Sequence, residues 1–183
     1  DIGFGTLAAQ GGAFTADAGG GIAFDAASAA GAITFAAGGN VAGGNLTSPG
    51  TVSATGARVV LGDVIAGAVR LASGSDILFD LIRSANPVTL TASTGLIGAN
   101  TGAGDIESDG SVTLLAQGIA IGDVTSGGSI GATATTGDAS FGALDAVGAI
   151  TIAAAGAPSF TSLTSGTDTS VTGAGVSLGA ANV

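Results

Sequence analysis

The sequence contains no Cys, His, Met, Trp or Tyr, and its only cationic side chains are Arg58, Arg70 and Arg83. Each gap removes a class of function. Without Cys there are no disulfides and no thiolate metal sites, although the redox compartment stays open. Without His, Lys, Cys or Tyr, the usual bases and nucleophiles reduce to carboxylates and hydroxyls, so no catalysis is expected. Three basic residues against 13 acidic ones give a net charge of −10. That balance argues against nucleic acid or an anionic membrane as a partner. Gly, Ser, Thr, Asn or Asp interrupts every apolar run before the roughly 18 residues of a membrane helix. The ring-poor strands lack the aromatic girdles of a membrane barrel, so no membrane insertion is expected.

What remains is abundant and simple. Apolar residues make up 46% of the chain, charged residues 9%, and there are 35 glycines. Such a chain is too apolar and too weakly charged for a disordered coil. Gly does not recur at every third position, which excludes collagen. The chain starts at Asp1, inside its own pattern and without a leader-like segment. We therefore expect a piece of a longer protein, or a unit that stacks end to end.

A five-residue phrase repeats: Gly12-Ala-Phe-Thr-Ala, Gly31-Ala-Ile-Thr-Phe, Gly50-Thr-Val-Ser-Ala, Gly67-Ala-Val-Arg-Leu, Asn86-Pro-Val-Thr-Leu, Gly110-Ser-Val-Thr-Leu, Gly128-Ser-Ile-Gly-Ala, Gly148-Ala-Ile-Thr-Ile and Thr167-Asp-Thr-Ser-Val. Starts lie 17 to 20 residues apart, with one gap of 24 between Asn86 and Gly110. A second phrase follows in each unit, as in Val59-Val-Leu61-Gly-Asp-Val64 and Ile119-Ala-Ile121-Gly-Asp-Val124. In the long unit Thr101-Gly-Ala103-Gly-Asp-Ile106 fits that phrase, which places a loop insertion near 91–100.

Within the phrases apolar residues alternate with small or polar ones, the mark of strands with one buried face. Frequent Gly and β-branched residues exclude helices. Three strands per unit, stacked in parallel, predict one all-β domain over 1–183: a right-handed parallel β-helix, or three-sided β-solenoid, of about nine coils of roughly 19 residues. The phrases Gly110-Ser-Val-Thr-Leu-Leu-Ala and Gly148-Ala-Ile-Thr-Ile-Ala-Ala resemble the repeats of filamentous-haemagglutinin-like exoproteins of the two-partner secretion type. That resemblance implies a secreted or cell-surface bacterial protein, adhesive or filament-forming. Its partners would be flanking coils, copies of itself end to end or side by side, or a host-surface or carbohydrate receptor.

Three groups of residues invite a sharper reading. Asp105-Ile-Glu107-Ser-Asp109-Gly110 echoes the first half of a calcium loop, and register stacks Asp105 on Asp123. A cation, calcium by its oxygen ligands, would separate the two charges; the alternative is an Asp capping its own turn. No other cofactor is expected. Outward on the first strand lie Thr15, Thr34, Ser53, Thr89, Thr113, Thr151 and Ser170, broken by Arg70 and Gly131. A flat hydroxyl ladder of this kind suits an ice-binding solenoid, or simply a stable exposed strand. Register also pairs Arg58 with Asp76 and Arg83 with Glu107. A carbohydrate-acting β-helix enzyme, with Asp105 and Asp123 as its acids, is the remaining reading, weakened by the lack of aromatic and basic residues to hold sugar.

Overall fold

Alternation with Gly at the corners gives strands throughout. The computed structural model describes residues 1–182, with 21 strands, no helix and only parallel pairings between its strands. Among the described residues no helix is long and apolar enough to cross a membrane. The first face is built from β2 (Phe14–Ala18), β4 (Ile33–Ala37), the ends of β5 (Val41–Gly56) and β7 (Asp63–Ser73), then β10 (Val88–Ala92), β13 (Val112–Ala116), β16 (Ile130–Ala134), β18 (Ile150–Ala154) and β20 (Thr169–Thr172). Strands β1 (Ile2–Ala9), β3 (Ile22–Ala29), β17 (Ala139–Ala146), β19 (Pro158–Ser165) and β21 (Ser177–Asn182) run across the second and third faces. Between them, β6 (Val59–Val60), β8 (Ile77–Phe79), β11 (Leu96–Ala99) and β14 (Gly118–Ala120) lie on the second face; β9 (Leu81–Ser84), β12 (Asp105–Ser108) and β15 (Val124–Ser126) lie on the third.

The result is a parallel β-solenoid of about 10 turns. The extra turn beyond the nine phrases is made by β1, which precedes the first of them and pairs with β3.

Each face buries a column. On the first, Phe14, Ile33, Val52, Val69, Val88, Val112, Ile130 and Ile150 stack in register, as the phrases require. The column ends on Thr169, whose hydroxyl is buried without a hydrogen-bond partner. On the third, Leu46, Val64, Ile82, Ile106, Val124, Leu144 and Leu163 do the same. No coil buries this surface alone; each depends on its neighbours.

The second face corrects the sequence reading. Its column runs through Val41 and Ile97, neither of which the phrases had placed there. Ile97 is completely buried between Ile77 and Ile119, whereas Thr101, Gly102 and Ala103 are exposed. The insertion is therefore not at 91–100. Thr91 and Ala92 continue β10, Leu96–Ala99 is a strand, and the excursion is Asn100–Gly104. Size and polarity decide between the registers, since the phrase would set Thr101 opposite Ile77, burying a smaller, hydroxylated side chain where Ile97 now packs.

At this corner Asp80 alone turns the preceding coil, while five residues turn this one. Asp80 accepts the Thr101 amide at 2.6 Å and the Gly102 amide at 2.7 Å. Gly104 returns the chain to β12 with φ +73, a conformation that favours glycine.

Candidate functional site

The ladder residues all face outward on the first face. Register joins Thr15, Thr34, Ser53, Arg70, Thr89, Thr113, Gly131, Thr151 and Ser170 into one column, about 4.8 Å per step. Thr15, Thr113, Thr151 and Ser170 are exposed, and Thr34, Ser53 and Thr89 half-buried between neighbours. Arg70 projects from the middle of the column and is exposed. Two residues further along each strand a second outward column carries Thr55, Thr91, Thr133 and Thr172, with Asp17, Ala36, Ala72, Leu115 and Ala153 between them. The sequence reading had not resolved this second column. The excursion lies at the corner between the second and third faces, away from this ladder.

Asp105 and Asp123 stack on successive coils, as register predicted. Their hydrogen bonds differ from the expected cap of an Asp on its own turn. Asp105 accepts the Asp123 amide at 2.8 Å, and Asp123 accepts the Ala143 amide at 2.7 Å, so each carboxylate caps the following coil rather than its own turn. Gly122 and Gly142 keep this corner open, because a Cβ on either would meet the carboxylate. The device recurs: Asp138 accepts the Ala157 amide at 2.7 Å, Asp76 the Leu96 amide at 3.0 Å, and Asn45 the Asp63 amide at 3.0 Å. Among the described residues no three His, Cys, Asp or Glu side chains gather as metal ligands would.

A second set of clips escaped the sequence reading. Ser48, Ser84, Ser108, Ser126 and Ser165 are buried at the end of the third face. Their hydroxyls reach back to carbonyls of the preceding coil: Ser48 donates to Gly31 at 2.5 Å, Ser126 to Gly110 at 2.8 Å and Ser165 to Gly148 at 3.0 Å. The same hydroxyls accept the amide two residues on, from Gly50 at 3.0 Å, Gly128 at 3.2 Å and Thr167 at 3.4 Å. The available signal was a Ser two places before the residue that opens the next phrase.

Both expected ion pairs form, Arg58 with Asp76 at 3.4 Å and Arg83 with Glu107 at 2.7 Å. The hydrogen bond from Arg83 holds the Glu107 carboxyl below its ordinary value, and the same bond raises the Arg83 guanidinium further. Asp80 shows a different balance. Slight burial pushes its carboxyl up, but hydrogen bonds from the Thr101 and Gly102 amides and from the Thr101 and Asn100 side chains outweigh it and hold the group low.

The third face carries an open trough of about 540 Å³ beside Ile65, Arg83, Glu107, Asp109 and Thr125. Its guanidinium and the Glu107 carboxylate are bonded to each other through Nε at 2.7 Å and a second nitrogen at 3.2 Å. What the arrangement offers chemically is therefore surface: two outward hydroxyl columns, acidic corners and a paired charge. Comparison with protein-family models, with curated proteins and with solved structures finds no match for this chain.

Proposed function

We propose that the chain is a rigid structural segment, a shaft or filament-forming unit, of a secreted or cell-surface bacterial exoprotein with an adhesive role. The observation that carries this reading is the unbroken pairing of every coil with the next on all three faces, clipped at the corners by Ser and Asp side chains. A rod built this way transmits load through backbone hydrogen bonds and sets a fixed distance per coil. The repeat phrases that resemble filamentous-haemagglutinin-like proteins support the same reading. Its partners would be further coils of a parent chain or neighbouring copies, with a host-surface or carbohydrate receptor at the adhesive end.

Electron microscopy of the protein in its native assembly, with and without EDTA, tests this. Long, thin fibres support the reading, and their loss in EDTA would assign a cation to the Asp105–Asp123 corner. Short isolated rods, indifferent to EDTA, would count against self-assembly.

A second reading rests on the open first face, where two outward columns share one register. Hydroxyls repeated along such a plane would order water as an ice surface does. Thermal hysteresis that falls when Thr34 or Thr113 becomes Arg supports ice binding; none in the unaltered protein removes it.

A further inference from the structure

The seven phenylalanines are unevenly spread along the axis. Phe4, Phe14, Phe24 and Phe35, on the first four strands, form one cluster across two faces. Phe4 stacks on Phe24 with centroids 5.5 Å apart, and Phe24 on Phe35 at 4.7 Å. Phe14 closes the group with edge contacts to Phe4 at 5.7 Å and to Phe35 at 5.8 Å. The third coil is shaped to receive it, since a Cβ on Gly43 would run into the Phe24 ring. Phe79, Phe141 and Phe160 lie farther along the second-face column that begins with Phe4 and Phe24, outside the cluster.

Two physical terms favour this block over the rest of the rod. Ring pairs contribute beyond the area they bury, and the aliphatic coils lack that contribution. The contacts of Phe4 with Phe14 and of Phe24 with Phe35 lie within a coil, closing about half the chain length of a coil-to-coil contact. Shorter loops cost less entropy to close, and contacts between near neighbours in sequence form first. Folding of a repeat rod can begin at any coil, so the strongest local unit decides where it does.

We infer that the aromatic block is the seed of the solenoid: the first two coils form ahead of the others, and later coils wind onto them in order. This inference is independent of what the rod does.

Pulse-labelling hydrogen exchange during refolding of the full chain provides the test. The amides of β3 and β4 gain protection before those of β17 and β19; simultaneous protection, or the reverse order, overturns the inference. Because this uses the unaltered protein, the answer does not hang on any variant folding. Kinetics of two variants add a second readout. Phe24→Leu slows refolding by roughly threefold or more, while Phe141→Leu mainly speeds unfolding and leaves refolding within about twofold. Equal slowing by both variants, or greater slowing by Phe141→Leu, would sink the idea.

Discussion

At the residue scale, parity along the strand decides almost everything. A hydroxyl at an outward position joins the ladder, and one at an inward position must find a carbonyl or remain unpaired. Ser126 finds the Gly110 carbonyl; Thr169 finds nothing. Thr169→Val removes the unpaired hydroxyl and matches the Val and Ile above it in the column, so it should stabilise the protein by about 1 kcal/mol. Thermal melts check this, and an unchanged or lower Tm would mean that the hydroxyl is satisfied by solvent. Asp80 sets a pH dependence of definite sign. Its carboxyl is held below the ordinary value of 3.8, so its contribution is fully present above that value and lost as pH falls through the lower folded one. Asp80→Asn should flatten the acid limb of the stability–pH curve in that window. The inward serines were legible only through their place two residues before the next phrase, because Ser also stands at outward positions and register alone separates the two. For Asp105 and Asp123 the stacking was legible but the partner was not, since the amide that each accepts belongs to the following coil.

At the scale of the element, the first-face strands were readable from their starts, because each carries a β-branched or aromatic residue two places after a turn residue; only the end of β10, at Thr91 and Ala92, was given to the loop instead. The second face was not. Leu96–Ala99 and Thr101–Ala103 both satisfy a two-residue alternation, and alternation alone carries no information about volume. The column needed a large aliphatic side chain, and Ile97 supplied it. Ile97→Ala should therefore cost about 2–5 kcal/mol in chemical denaturation, as for a fully buried aliphatic residue. Ala103→Ser on the exposed excursion should leave stability within about 0.5 kcal/mol. Comparable losses at the two positions would restore the register that the structure displaces.

For the whole molecule, every strand is held by neighbours one coil away, and proteolysis should report this. Arg70 pairs with Ser53 and Thr89, and Arg83 with Ile65 and Glu107. Trypsin needs an extended, unpaired stretch around its target, which the intact rod does not present at these two sites. Cleavage should remain slow until the unfolding transition and then follow it with temperature. Early cutting confined to Arg58, in the bend before β6, would instead show that one corner opens by itself.

The excursion at Asn100–Gly104 separates two properties that are usually tied together. The chain departs from the stack there and returns with Ile106 on Val124, in the same column it would have occupied without the detour. Contour length at a corner is thus free of the pitch of the rod. Variation at such corners can broaden the outline of the molecule while its ruler-like spacing stays constant, so new recognition surface and mechanical reach can change independently.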